Sequence, residues 1–146
     1  MHPLIELKTA PPPLLITLAL LCFGLSPRAQ ALLPPPAPDG GYPGANTAEG
    51  TNALFNLTSG INNTAVGASA LTRNTTGAYN VAVGSGALAS NTSGSFNMAI
   101  GAQALNKNTA SFNLAIGFQV LFMNTTGSHL TGIGAGALQS NATADF

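Results

Sequence analysis

A unit of 17 residues repeats six times between Asn46 and Phe146, and this period limits the fold more than any other feature of the 146-residue chain. In register the copies read N-x-A-[VI]-G-x-x-A-L-x-x-N-T-[TS]-G-x-aromatic. They begin at Asn46, Asn63, Asn80, Asn97, Asn113 and Leu130, and the fourth is one residue short. A unit this small encloses no core by itself and buries its apolar face only by stacking on the next copy. Two packed helices per unit need roughly 30 or more residues, and the recurrent glycine and β-branched threonine further disfavour helix. The expected fold is all-β: a parallel β-solenoid (β-roll) of six coils, 46–62, 63–79, 80–96, 97–112, 113–129 and 130–146, with room for one short helical turn per coil. At about 4.8 Å per coil, six coils stack to roughly 29 Å.

Each unit assigns roles to its positions. The fifth is glycine in every copy, namely Gly50, Gly67, Gly84, Gly101, Gly117 and Gly134. That pattern calls for a backbone angle a Cβ forbids, or for close approach of another segment. Just before it run short β-type stretches such as Val81-Ala82-Val83 and Met98-Ala99-Ile100. In a strand the residues flanking the alanine share one face and the alanine takes the other. One face then stacks Val83, Ile100 and Ile116, while the opposite face from Ala48 to Ala115, ending at Gly132, is smooth and is expected to receive a partner chain. Leucine fills position nine throughout (Leu54, Leu71, Leu88, Leu105, Leu121 and Leu138) and is the expected internal packing residue. Asn74-Thr75-Thr76-Gly77 and Asn124-Thr125-Thr126-Gly127 are turn sequences, since asparagine tolerates left-handed angles. Tyr79, Phe96, Phe112, His129 and Phe146 form an aromatic column at the corner leading into each strand.

The terminal copies depart from the pattern, as ends of a stack do. The first has Glu49 in place of Val or Ile and Leu57 in place of Asn; the last opens with Leu130 and replaces the turn glycine with Ala144. The array stops at a unit boundary, Phe146, without an obvious cap, which is the ground for an alternative reading of the chain as an N-terminal fragment of a longer fibre.

Ahead of the repeats, residues 1–31 have the layout of an export signal. Lys8 supplies a positive charge, Leu14 to Leu25 is a nearly unbroken apolar run, and Ala29-Gln30-Ala31 fits a small-x-small site with cleavage after Ala31. A run of about 12 residues is too short to span ~30 Å of hydrocarbon as a helix. Cys22, the single cysteine, lies inside that run and follows Leu21 rather than a small residue, which argues against lipidation. Cleavage would leave no thiol, disulfide or cysteine-bound metal. Residues 32–45, LLPPPAPDGGYPGA, read as an extended Pro/Gly-rich spacer. The expected location is therefore secreted or cell-surface, with no membrane segment beyond the signal.

The chain carries four basic and four acidic residues, so no field directs it toward nucleic acid. Within 46–146 the ionisable groups are Glu49, Arg73, Lys107, His129 and Asp145, each in a different copy. No carboxylate pair, histidine cluster or nucleophile beside a base emerges, and the chain is expected not to be an enzyme. No cofactor or metal is expected; a calcium-binding roll needs an aspartate in each unit and only Asp145 is present. The two asparagine columns, Asn63-Asn80-Asn97-Asn113 and Asn74-Asn91-Asn108-Asn124-Asn141, are expected to satisfy backbone at the corners. Six N-x-[ST] sequons, at Asn56, Asn62, Asn74, Asn91, Asn124 and Asn141, mostly fall out of the turn motif. Threonine columns raise an ice-binding alternative, disfavoured because adjacent Thr75 and Thr76 point in different directions.

The runs Asn63-Thr64-Ala65-Val66-Gly67, Ala70-Leu71 and Asn74-Thr75-Thr76-Gly77, with their later copies, resemble the repeats of YadA-type trimeric autotransporter adhesin heads. They resemble still more closely long bacterial surface and tail-fibre-like proteins that end in an endosialidase-type intramolecular chaperone. The likeness covers residues 40–146. It implies a parallel β-roll in which three chains associate side by side as a head or fibre, with a host, cell-surface or glycan ligand. The familiar head repeat is nearer 14 residues, so these coils must hold an extra corner, and no C-terminal barrel, heptad stalk or chaperone is present in the sequence. The function expected is that of a non-enzymatic structural or adhesive surface protein acting as a homotrimer. The alternatives are a fibre fragment whose activity lies downstream, or a glycan- or ice-binding solenoid.

Overall fold

The computed structural model describes residues 42–145. The signal segment with its Ala31 site, and all of the spacer before Tyr42, lie outside the described residues. Six three-residue strands follow one another: β1 Thr47–Glu49, β2 Thr64–Val66, β3 Val81–Val83, β4 Met98–Ile100, β5 Leu114–Ile116 and β6 Thr131–Ile133. They form one parallel sheet in the order β1-β2-β3-β4-β5-β6, with Ala48, Ala65, Ala82, Ala99, Ala115 and Gly132 in one aligned row. Each coil pairs only with its neighbours, so the protein is a parallel β-solenoid of 17-residue coils, as the period required.

The core is narrow and built from two columns. The strand alanines from Ala65 to Ala115 are fully buried, and beside them Leu54, Leu71, Leu88, Leu105 and Leu121 are also fully buried. Burying each leucine is worth roughly 1.5–3 kcal/mol. The leucines do not sit on helical turns. Their φ values of 49–52° are left-handed, which a right-handed helix does not allow, and i→i−3 bonds such as Asn74 N–H to Leu71 O (3.0 Å) close turns instead. The short helical turn expected in each coil is absent from the described residues.

This arrangement overturns the expected use of the strand faces. The alanine face is the inside of the coil, and the branched residues point to solvent. Every strand from β1 to β6 is buried only at its middle residue. The reason is space: the leucine of each coil fills the interior opposite the strand, which leaves room for no more than a methyl. A partner chain therefore cannot use the alanine face.

Glycine at position five answers both demands placed on it. Gly67 and Gly84 have φ of 127° and 132°. A Cβ on Gly67 would lie 2.7 Å from the carbonyl carbon of Gly84 in the next coil, and one on Gly84 would lie 2.6 Å from that of Gly101.

Asparagine holds the coils shut. The first column, Asn46, Asn63, Asn80, Asn97 and Asn113, is buried. In each the side-chain NH2 reaches the far end of its own coil, as in Asn63 Nδ2 to Gly77 O (2.9 Å) and Asn80 Nδ2 to Gly94 O (2.8 Å). Its Oδ1 accepts the backbone N–H of the next coil's first residue, for example Asn80 N to Asn63 Oδ1 at 3.0 Å and Leu130 N to Asn113 Oδ1 at 3.0 Å. One amide thus closes a coil and registers it on its successor. Residues 42–45, the end of the proline-glycine spacer, fold as a turn over the first coil, where Asn46 Nδ2 donates to Pro43 O at 2.7 Å and Tyr42 packs on the core.

Candidate interaction surface

Side chains alternate along each strand, so burial of the alanine turns positions two and four outward. Position four stacks Val66, Val83, Ile100, Ile116 and Ile133; position two stacks Val81, Met98 and Leu114 between Thr64 and Thr131. Val66, Val83, Ile100 and Met98 are 36–39% exposed, and Ile133 is 65% exposed. Isolated apolar residues on a surface are ordinary, but a contiguous apolar array is not. From β2 to β6 no formally charged residue interrupts these two columns; Glu49 stands above them on β1.

The aromatic column lies beside this array, where each coil enters its strand. Tyr79, Phe96, Phe112 and His129 stack face to face, with centroids 5.0, 5.2 and 5.1 Å apart and planes within 10° of parallel. About half of the surface of Tyr79, Phe96 and Phe112 remains exposed. All four have left-handed backbones, φ 58–62°, a region costing roughly 1–2 kcal/mol for a residue with a Cβ. Asn62, at the same step of the first coil, has φ 55° and is the residue type that tolerates it. Stacking offsets part of the cost at about 0.5–1.5 kcal/mol per pair.

On the exit side of the strands the chain is small and flat: Gly67-Ala68, Gly84-Ser85 and Gly101-Ala102 follow β2, β3 and β4, while Phe118 after β5 is 54% exposed. Phe118 escapes a reading of the repeat because it replaces a small residue at an unremarkable position; its signal is the departure of one copy from the other five.

The polar columns are occupied. In the second asparagine column Asn74, Asn91, Asn108 and Asn124 are fully buried, each donating Nδ2 to its own corner carbonyl, Gly77, Gly94, Ala110 or Gly127. Three of the sequon amides are thereby committed inside the fold, while Asn56 and Asn62 face solvent. The hydroxyls of Thr58, Thr75, Thr109 and Thr125 donate to carbonyls of the next coil at 2.9–3.0 Å, so their protons do not face outward for ordering water.

Ionisable groups converge at one place. Asp145 Oδ1 accepts from the Ser128 backbone N–H (2.6 Å) and lies 3.2 Å from Ser128 Oγ, which is 3.1 Å from His129 Nδ1. The order is carboxylate–hydroxyl–imidazole. In a hydrolytic triad the imidazole stands between the other two and takes the hydroxyl proton, so this trio is wired for holding a corner. No group of three or more His, Cys, Asp or Glu that could hold a metal occurs among the described residues. Of the repeat positions singled out in the sequence, Gly50, Gly67, Gly84, Gly101 and Gly117 lie close against the backbone of the next coil and Leu54 through Leu121 are buried, whereas Gly134 and Leu138 lie on the last coil, where Leu138 is 40% exposed. No family model, no curated protein and no solved structure matches the chain.

Proposed function

We propose that this is a secreted, non-enzymatic structural or adhesive protein of the cell surface, a head or fibre segment that acts through repeated surface contacts as a homotrimer. The observation that carries the reading is the outward apolar array Val66, Val83, Met98, Ile100 and Ile133, left 36–65% exposed on a sheet face that is uncharged from β2 to β6. Covering it with the same face of further copies removes it from water, at about 25 cal/mol per Å2 of apolar area, and depletion of charge is a property of interface cores. The resemblance to YadA-type repeats is the reason for three copies rather than two, and the export-type sequence of residues 1–31 is the reason for the surface location. Light scattering during size-exclusion chromatography tests the assembly. A mass near three times that of one processed chain supports it, and a stable soluble monomer rejects it. Protease treatment of intact cells, followed by immunodetection, tests the location: protection from protease until lysis counts against exposure at the surface.

A further inference from the structure

The fold treats its six N-x-[ST] sequons unequally. Asn74, Asn91 and Asn124 open the corner turns, are fully buried and donate their amides to Gly77, Gly94 and Gly127. Asn141 holds the same position in the last coil, half-buried, and reaches Asn124 Oδ1 at 3.3 Å and Ala144 O at 3.4 Å. Asn56 is exposed, but its sequon is tied down at both ends. Asn56 Nδ2 donates to Thr72 O at 2.7 Å, and Thr58 Oγ1 donates to Thr75 O at 2.9 Å. Asn62-Asn63-Thr64 differs, because it straddles the corner that leads into β2. Asn62 is exposed and Thr64 is an outward, half-buried residue of β2; no hydrogen bond holds either side chain among the described residues.

We infer that Asn62 is an N-glycosylation site, the one sequon whose amide and hydroxyl the folded chain presents together. The assignment rests on the export proposed above, which brings the chain to a transferase that uses sugars activated as diphosphates. In the transfer Asn62 Nδ2 attacks the anomeric carbon of the donor sugar. The Nδ2–C1 bond forms as the bond from C1 to the phosphate oxygen breaks, and the diphosphate leaves with that electron pair. One amide proton passes to a base of the transferase.

Three observations set this sequon apart. It is not a by-product of the repeat: the same step in later coils reads Tyr79-Asn80-Val81, Phe96-Asn97-Met98, Phe112-Asn113-Leu114 and His129-Leu130-Thr131. Only the first boundary joins an asparagine at position 17 to a threonine two residues on. The corner's backbone angle does not by itself call for asparagine either, since the four later residues hold φ of 58–62° beside the 55° of Asn62. Finally, Asn62 stands one coil above Tyr79, whose N–H bonds to Ile61 O at 3.0 Å. The stacked rings begin at Tyr79, so among the described residues the ring face turned toward Asn62 is not covered by another ring. A pyranose presents C–H groups on one face, and the first sugar on Asn62 can lay that face on the half-exposed Tyr79 ring. The site precedes the strand, so the outward columns from Val66 to Ile133 stay uncovered. A glycan also hydrates a surface that has few charged side chains of its own.

Enzymatic labelling of the purified full-length chain tests the site. The folded protein is incubated with a soluble sequon-specific N-glucosyltransferase and UDP-glucose, and the added hexose is located by peptide mass spectrometry. Label should appear at Asn62 alone, whereas a proteolytic digest, with every sequon unfolded, should take it at several. Thr64→Ala, outside the core, should lose all label from the folded chain, and Thr64→Ser should keep it. Label at another sequon of the folded chain, or a bare Asn62 whose digest peptide is labelled, overturns the assignment. Protein recovered from the surface or medium of its native cells is treated with peptide-N-glycosidase in heavy-oxygen water, which converts a glycosylated asparagine to labelled aspartate. The mark at position 62 supports the site, and exported protein without it overturns the site while the export stands. Protein found only inside the cell overturns the export reading, and the transferase result then decides Asn62.

Discussion

At the residue scale, the repeat loads its constraint onto small side chains. Gly84 combines a φ of 132° with a neighbour that leaves no room for Cβ, whereas a methyl added to Gly134, φ 105°, would meet no atom within 4 Å. Gly84→Ala is therefore expected to cost more than Gly134→Ala, by about 1–3 kcal/mol, because overpacking is added to a backbone strain that both positions share. Chemical denaturation of the two variants checks this, and equal losses would mean that close approach of the coils plays no part. Leu88 and Leu138 make a second pair. Leu88→Ala should destabilise by about 2–5 kcal/mol, and Leu138→Ala by about 1 kcal/mol, because 40% of that leucine is already in water. The glycine and leucine columns are legible in the sequence since each occupies one position of the period. The inward turn of the alanines is not. A strand that alternates Val-Ala-Val shows which residues share a face but not which face is inside, and the leucine that decides the matter belongs to another side of the coil.

At the element scale, the one-residue shortening of the fourth copy has a local cost. Ala110 takes the place of the corner glycine and still accepts from Asn97 Nδ2 (2.8 Å) and Asn108 Nδ2 (2.8 Å), so the residue lost is the second Thr or Ser of the turn. The second asparagine ladder runs from Asn91 Nδ2 to Asn74 Oδ1 and from Asn124 Nδ2 to Asn108 Oδ1, but it has no bond from Asn108 to Asn91. Asn113 Nδ2 turns aside to Asn108 Oδ1 at 3.1 Å, and Asn91 Oδ1 is left as a buried acceptor without a partner. Such a group costs roughly 1–3 kcal/mol. Inserting a threonine between Thr109 and Ala110, together with Ala110→Gly, restores the Asn-Thr-Thr-Gly corner and should recover about that amount. The check is the denaturation midpoint, along with slower exchange of the Asn108 side-chain NH2 in NMR; an unchanged midpoint would show that the corner relaxes without loss. The missing residue can be read from the sequence, but the orphaned oxygen lies one coil earlier and is seen only once the amides are paired in space.

At the scale of the whole molecule, the proposed assembly makes the outward sheet face the determinant of behaviour in solution. Its columns from β2 to β6 are uncharged, so association through them should respond to hydration and not to screening. Sodium sulfate, excluded from apolar surface, should tighten the assembly, while moderate sodium chloride should leave it nearly unchanged because no opposed charges are there to screen. Ile100→Lys, at the centre of the face and 37% exposed in one chain, should give a monomer with an almost unaltered denaturation midpoint for the coil stack, since its side chain adds nothing to the buried core. Sedimentation velocity across both salts, for the unmodified chain and the Ile100→Lys variant, separates the possibilities. Sulfate-strengthened trimers that Ile100→Lys dissolves would tie assembly to the strand columns. Trimers that survive the lysine would move the contact elsewhere on the coil, since no interface core buries an unpaired ammonium without a cost of several kcal/mol.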